Sequence, residues 1–198
     1  MAQTKPNAQK RQSPTLLGEM PNPEGRKEDC LQIQHQPHGL MNLRNKRDIS
    51  KVMNRYFGTA LPETANSFSV SGDRRALWLG PDESLLICAN QEAEELQHTL
   101  STQLYGQHFQ LTLLSDALAI YELNGPYVRD ILAKGCALDL HVSAFRPGQC
   151  AQSNLERAAV TLMCEAENSF RLICRTSFAD YVETWLKDAA YEYGYAIR

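Results

Sequence analysis

The chain has 198 residues, of which 43% are hydrophobic and 22% are charged, and its net charge is −3 at pH 7. This composition is that of a soluble globular protein with enough apolar residues to form a core. The acidic balance argues against nucleic acid and anionic membranes as main partners, since both require a basic surface. No stretch approaches the roughly 20 apolar residues of a membrane span. No apolar run follows the basic residues near the N-terminus, so no secretory signal is predicted.

Six cysteines are spread along the chain, at Cys30, Cys88, Cys136, Cys150, Cys164 and Cys174. No two of them form a Cys-x-x-Cys pair, and nothing directs the chain to an oxidising compartment. Cys88, Cys164 and Cys174 lie within apolar runs, where cysteine behaves as a small hydrophobic residue. The pattern predicts reduced thiols in a cytoplasmic protein.

The first 28 residues differ in composition from the rest of the chain. They are rich in Pro, Gln, Asn and Lys, and Pro6, Pro14, Pro21 and Pro23 interrupt any helix. Such a segment has too little apolar surface to fold alone. Residues 1–28 are therefore predicted to be a disordered tail that a partner could order, and residues 29–198 to be a single α+β domain.

From Cys30 onwards, strand-like and helix-like patterns follow one another. Alternating apolar residues indicate strands, and apolar residues three or four positions apart indicate helices. The first half is predicted to form strands near 31–34 and 40–44, a helix over 49–57 that ends at Gly58, a strand near 68–70, a hairpin of 75–79 and 84–89, a helix over 90–104, and strands over 109–113 and 118–123. Asn90 is expected to cap the second helix.

The second half shows equally regular patterns. Asn124-Gly125-Pro126 opens a predicted helix that Lys134-Gly135 closes. Strands are predicted over 149–156, 160–164 and 170–174, and the last two form a hairpin. Ser177 and Asp180 resemble a capping box at the start of a helix that runs to Ala189, before Gly194.

These patterns give about four helices interleaved with seven or more strands. Because several strands pair as hairpins, the sequence predicts an α+β fold with a mixed, largely antiparallel sheet and helices packed on it. No internal repeat is found in the sequence.

The hairpin turn at Gly80-Pro81-Asp82 places two carboxylates, those of Asp82 and Glu83, side by side. Paired carboxylates are common in acid–base catalysis, but a turn at a sheet edge is solvated and does not raise a carboxyl pKa. Asp82 is better explained as a turn former. Trp78, just before the turn, is expected to pack inward.

Motifs for phosphate and metal binding are weak. The chain contains neither a P-loop nor a Gly-x-Gly-x-x-Gly sequence after a strand. His35 and His38 form the only close histidine pair, but Pro37 and Gly39 interrupt the segment, so their rings need not converge. We interpret this pair as solvated.

Cys136, Asp139 and His141 bring a thiol, a carboxylate and an imidazole within six positions. A catalytic Cys–His pair normally meets through the fold rather than within one short segment, so a thiol enzyme is a minor hypothesis. Arg129 and Asp130 are interpreted as a solvated helix face. The helix start after Asn124-Gly125 could bind an anion, although capping by the chain itself is more common.

The remaining chemistry is sparse. A covalent flavin requires a dinucleotide-type fold, which the patterns do not predict. Core packing explains the aromatic residues Trp78, Tyr121, Phe170 and Trp185. The sequence therefore assigns no catalytic, cofactor-binding or metal-binding residue.

Five segments in order resemble the gamma subunit family of heterotetrameric sarcosine oxidases. The resemblance covers roughly residues 40 to 190, and its most specific motifs are Trp78-Leu79-Gly80-Pro81-Asp82-Glu83 and Gly135-Cys136-Ala137-Leu138-Asp139-Leu140. The others are Leu43-Arg44 with Leu61-Pro62, Phe145-x-x-Gly148-x-Cys150-Ala151, and Arg175-Thr176-Ser177-Phe178 with Trp185-Leu186. Ser84 stands where the family pattern leads us to expect a bulky aromatic residue.

The resemblance implies a subunit of a complex with alpha, beta, gamma and delta chains. Such a complex oxidises sarcosine to glycine with O2, giving H2O2 and formaldehyde or 5,10-methylenetetrahydrofolate. FAD, FMN, NAD, tetrahydrofolate and zinc are then expected in the partner subunits, with none in this chain. The implied fold is that of the folate-binding domain of aminomethyltransferases and tRNA-modification GTPases. The alternative is a free-standing folate-binding protein.

Overall fold

Two β-sheets face each other in this computed structural model, which describes residues 31–198. The five-stranded sheet, here called the first sheet, consists of β2 (His38–Asn45), β3 (Phe68–Ser71), β4 (Arg74–Gly80), β5 (Glu83–Ala89) and β6 (Phe109–Leu113) in the order β3-β4-β5-β2-β6. Every pairing within it is antiparallel. The predicted tail and Cys30 lie outside the described residues.

The six-stranded sheet, here called the second sheet, comes mainly from the second half of the chain. It consists of β1 (Leu31–His35), β7 (Leu118–Asn124), β8 (Cys150–Leu155), β9 (Ala158–Ala166), β10 (Ser169–Arg175) and β11 (Tyr195–Ile197) in the order β11-β1-β7-β10-β9-β8. Among residues 31–198, only β1 and β11 pair in parallel. The mixed, largely antiparallel α+β architecture predicted from the sequence is confirmed.

Helices cover the outer face of each sheet. They are α1 (Ser50–Val52, continued by a π-helical segment Met53–Phe57), α2 (Ala93–Gln103), α3 (Val128–Ala133) and α4 (Ala179–Ala189). Gly58 ends the first one at φ 85°, a left-handed conformation that glycine adopts without strain. Single 3₁₀ turns, Asn90–Glu92 and Thr176–Phe178, precede α2 and α4.

Two predicted helix caps are wrong. Asn90 lies in the 3₁₀ turn, and the N-cap position of α2 is Glu92, with no side-chain cap bond. Ser177 likewise lies in a 3₁₀ turn, so that α4 begins at Ala179 without a capping box. The 3₁₀ turns shift both helix starts by about one turn, which an apolar pattern does not reveal.

The hydrophobic core has three layers. The middle layer lies between the sheets and joins buried residues of both sheets: Leu40, Leu77, Leu85 and Ile87 on one side, Ile120, Cys150, Met163 and Ile173 on the other. The outer layers lie between each sheet and its helices. Residues of α2 pack on the first sheet, and residues of α3 and α4 pack on the second.

The fold contains an internal repeat that the sequence analysis did not find. Each half follows the order strand, helix, three strands, helix, strand, beginning with β2 in the first half and β7 in the second. Glu83 and Ser169, the first residues of β5 and β10, are 86 positions apart, and the same spacing separates the starts of α2 and α4 and of β6 and β11.

Burial explains why the repeat is hard to see in the sequence. Leu86-Ile87-Cys88 recurs 86 positions later as Leu172-Ile173-Cys174, with the isoleucines in the middle layer and their neighbours under the helices. At most other positions the two halves have the same pattern of inward and outward side chains but different residues. Successive side chains of a strand point to opposite faces, and many different apolar residues can fill an inward position.

Candidate functional site

A network of ion pairs crosses the space between the two sheets. Arg75 of the first sheet donates from Nε and Nη2 to the carboxylate of Glu165 in the second sheet, at 2.6 and 2.9 Å. Arg171 donates from Nε to the same Glu165 at 3.1 Å and from Nη2 to Glu122 at 2.8 Å. These charges are largely buried, and each is paired as a buried charge must be.

His38 belongs to this network, so the prediction that it is solvated is wrong. Its Nε2 lies 3.6 Å from Glu122, and its Nδ1 lies 2.8 Å from the carbonyl oxygen of Gln36. Burial holds the pKa of His38 below its ordinary value, with the nearby Arg171 acting in the same direction. His35 is exposed and stacks on Tyr121 at 5.0 Å between ring centroids. Over residues 31–198 no three metal-binding side chains converge.

The sequence contains a pattern that indicates this network. Arg75 alternates in phase with Leu77, and Arg171 alternates in phase with Ile173, so that both arginines occupy inward positions of their strands. A charged residue at such a position requires a partner within the fold.

The thiol hypothesis fails on geometry. The Sγ of Cys136 is buried and hydrogen-bonds the Oγ of Ser153 at 3.7 Å. His141 is exposed, and its Nδ1 contacts the hydroxyl of Ser143 at 2.7 Å. Asp139 accepts a bond from the backbone amide of His141 instead of orienting its ring. The thiol and imidazole therefore form no nucleophile–base pair.

The other described cysteines are buried and unreactive. Burial raises the pKa of Cys88, Cys150 and Cys174 to about 11, and it also raises the pKa of Cys164. A thiol needs its thiolate form to act as a nucleophile. These cysteines serve as core residues, as their apolar surroundings indicated.

The prediction that Arg129 lies on a solvated helix face is wrong. Its guanidinium donates to the carbonyl oxygens of Leu140, Phe145 and Glu167 at 2.6, 2.9 and 2.8 Å. It also lies 4.9 Å from the ring centroid of Phe170. One side chain thus joins α3, the following loop and the β9–β10 turn, a role that no local pattern discloses. The neighbouring Asp130 is exposed, as expected.

At the helix start after Asn124-Gly125, the N-cap position is Tyr127, which makes no side-chain cap bond. The amide of Gly125 donates to the carbonyl oxygen of Asn168 at 3.0 Å, and the carbonyl oxygen of Gly125 accepts from Val128 at 3.2 Å. The chain itself therefore supplies the acceptor for the first amide of α3, that of Val128.

The predicted hairpin turn lies beside an open cleft of about 360 Å³. Trp78, which was expected in the core, is only half-buried and lines this cleft, which we call the Trp78 cleft. The cleft is also lined by Leu61 and Pro62 and by three carboxylates, those of Asp48, Glu63 and Asp82. The carboxylate of Glu83 is bonded to Arg44 at 2.8 Å and to Asn42 at 2.7 Å. Asp82 is exposed, as a turn residue should be.

The remaining aromatic residues pack as predicted. Tyr121 and Phe170 are fully buried, and the hydroxyl of Tyr121 donates to the carbonyl oxygen of Ala179 at 2.9 Å. Trp185 is half-buried against the core under α4. Within the described residues, no helix is both long enough and apolar enough to cross a membrane.

Comparison with known proteins identifies the family. The sarcosine oxidase, gamma subunit family matches residues 48–192. The chain belongs to this family. The sarcosine oxidase subunit gamma of Corynebacterium sp. strain U-96 is 34% identical over 142 residues, which is 70% of this chain and 67% of the relative. That of Arthrobacter sp. is 34% identical over 137 residues, 69% of this chain and 66% of the relative.

Solved structures agree with the family. A chain of the heterotetrameric sarcosine oxidase from Corynebacterium sp. U-96, solved with pyrrole 2-carboxylate, is similar with a TM-score of 0.79 and 28% identity, covering 88% of this chain and 90% of that one. The glycine cleavage system aminomethyltransferase T from Bartonella henselae is similar with a TM-score of 0.64 and 12% identity, covering 86% of this chain and 48% of that one. The second likeness shows a shared fold, which confirms the predicted fold class.

Proposed function

We propose that this family member is the gamma subunit of a heterotetrameric sarcosine oxidase and that its role is structural. The observation that carries the proposal is the agreement with a chain of a heterotetrameric sarcosine oxidase along most of the length of both chains. The complex would oxidise sarcosine to glycine with O2, giving H2O2 and formaldehyde or 5,10-methylenetetrahydrofolate. Its alpha, beta and delta subunits would hold FAD, FMN, NAD, tetrahydrofolate and zinc in the cytoplasm.

The chemistry of the described residues supports a structural role. The charged side chains between the sheets neutralise one another, and Arg129 is occupied by three backbone carbonyls. Desolvation keeps four thiols protonated at neutral pH. These groups are occupied in holding the fold together and leave little reactive chemistry for a substrate.

Co-expression with candidate alpha, beta and delta subunits tests the proposal. With a tag on this chain, we expect flavin absorbance and sarcosine-dependent H2O2 formation in the eluate. The tagged chain expressed alone is the control, and it should be colourless and inactive. A chain that elutes as a stable monomer without flavin, although the partners are present, would contradict the proposal.

The alternative, a free-standing folate-binding protein, rests on the fold shared with aminomethyltransferase T. Titration of the isolated chain with tetrahydrofolate separates the two functions. A structural subunit predicts no saturable binding up to about 1 mM, whereas saturable binding by the isolated chain would favour the alternative.

A further inference from the structure

The two halves of the fold have equivalent clefts with different contents. In the second half the cleft lies beside the β9–β10 turn at Glu167 and Asn168, and in the first half beside the β4–β5 turn at Pro81 and Asp82, 86 positions earlier. Each turn is joined to the end of a central strand in the same way. The amide of Asn45 donates to the carbonyl oxygen of Asp82, as that of Gly125 does to Asn168, both at 3.0 Å.

An arginine lines the second-half cleft. The guanidinium of Arg129 donates to three carbonyl oxygens and to the Sγ of Cys164 at 3.3 Å, and it faces the ring of Phe170. This arrangement of turn, loop and strand thus binds a planar cation, the Arg129 guanidinium, between an aromatic ring and several oxygen acceptors.

The first-half cleft lacks that arginine. Trp78 stands at the position of Cys164, and Ser84 stands at the position of Phe170, both 86 positions earlier. Arg129 is the second residue of α3, whereas the second residue of α1 is Lys51, which is exposed. The half-buried indole of Trp78 therefore lines a cleft in which no arginine takes the position of Arg129.

The charge of the Trp78 cleft suits a cation. Asp48, Glu63 and Asp82 line it as exposed carboxylates, against a single lining cation, Arg47. The Asp48 carboxylate accepts a bond from the backbone amide of Ser50 at 2.9 Å, and this bond holds its pKa below the ordinary value. The three carboxylates make the lining of the cleft electrostatically complementary to a cationic side chain of a partner.

We propose that the Trp78 cleft receives an arginine side chain of a partner subunit, which stacks on Trp78 and pairs with Glu63 and Asp82. The partner's arginine takes the place that Arg129 takes in the other half of the fold. This inference rests on the proposed function, because it requires an assembly that supplies the arginine.

Charge reversal in the co-expressed complex tests the inference. The double variant Glu63→Lys with Asp82→Lys should raise the Kd of the chain for its partners at least about tenfold, the effect expected when like charges meet at an interface. The matched control is Glu167→Lys with Asp130→Lys, which makes the same charge change at the cleft that Arg129 already lines. The control should bind like the unmodified chain.

Further variants separate binding from folding. Glu63→Lys alone changes an exposed loop residue, and it should weaken assembly while leaving the melting temperature of the free chain unchanged. Trp78→Leu should weaken assembly more than Trp78→Phe, since phenylalanine keeps an aromatic face. Equal assembly by the unmodified chain and by Glu63→Lys would overturn the inference, as would an equal loss in the control double variant.

A photo-crosslinking residue in place of Glu63 identifies the occupant. In the complex, we expect mass spectrometry to find the crosslink on a partner subunit, within a few residues of an arginine. A crosslink to residues 1–30 of this chain, to a second copy, or to a partner segment without arginine would overturn the inference. Failure of the unmodified chain to assemble would refute the proposed function itself, a distinct result.

Discussion

Arg75 and Glu165 join the two sheets of this protein through two parallel hydrogen bonds of 2.6 and 2.9 Å. The two residues are 90 positions apart in sequence and belong to different halves of the fold. Arg75 is only 9% exposed, so its guanidinium needs this carboxylate as a partner. The pair therefore couples the halves electrostatically in addition to the apolar middle layer of the core.

Arg75→Ala should lower the free energy of unfolding by about 3 kcal/mol, because the carboxylate of Glu165 would lose its bidentate partner in a largely desolvated site. Urea denaturation measures the loss. Arg44→Ala is the matched control, since Arg44 pairs with Glu83 but is 56% exposed, and it should cost less than about 1 kcal/mol. Similar losses for the two variants would show that the sheet-spanning pair is not important for stability.

Arg129→Met should also destabilise the chain, by about 2–3 kcal/mol, because three backbone carbonyls lose a charged donor. Arg129→Lys should recover only part of this loss, since an ammonium group cannot reproduce the planar fork. Thermal or urea unfolding of the two variants provides the measurement. Full recovery by lysine would contradict the geometric role given to the guanidinium.

Gly135→Ala should be destabilising by about 1–3 kcal/mol, the range for overpacking a core. A Cβ at this position would lie 2.5 Å from Cζ2 of Trp185 and 3.0 Å from Cε2 of the same ring. Gly80→Ala is the control, because its Cβ would meet only the Cβ of Glu83, at an ordinary 3.6 Å. Denaturation midpoints compare the two, and equal midpoints would mean that the Trp185 ring moves aside freely.

The buried thiols predict a loss of stability in alkali. The pKa of Cys88, Cys150 and Cys174 lies near 11 in the folded chain and near the ordinary 9.0 in the unfolded chain. Between these values the unfolded state releases protons that the folded state retains, so the free energy of unfolding falls as the pH rises. The thiol contribution should be intact below pH 9 and decrease from pH 9 to 11.

Urea unfolding measured from pH 8 to 11 provides the test for the thiols. Cys174→Ala should show a shallower pH dependence than the unmodified chain, because one titrating group is removed. At pH 8 iodoacetamide should label these three cysteines much faster in urea than in buffer. A stability that stays constant up to pH 11, or fast labelling in the folded chain, would refute the burial of these thiols.

The positions of strands and helices were largely predictable because alternation and helical spacing are local. The strand over 149–156 was predicted almost to the residue, since Cys150–Leu155 forms β8. The starts of α2 and α4 were misplaced because a 3₁₀ turn and the first turn of an α-helix have similar apolar patterns. Trp78 was misplaced because alternation put it on the helix-facing side of β4, where the structure has a cleft in place of a helix.

The sequence by itself determined the alternation of elements, the buried face of each strand and the family motifs, because these depend on residues close together in the chain. Only the tertiary structure decided that the strands form two sheets, that the halves repeat one another, and that Arg75 meets Glu165. Contacts between residues far apart in the chain depend on how whole layers pack, so local sequence patterns do not predict them. For the same reason, only the tertiary structure decided that Arg129 lines one cleft while no arginine takes that position beside Trp78.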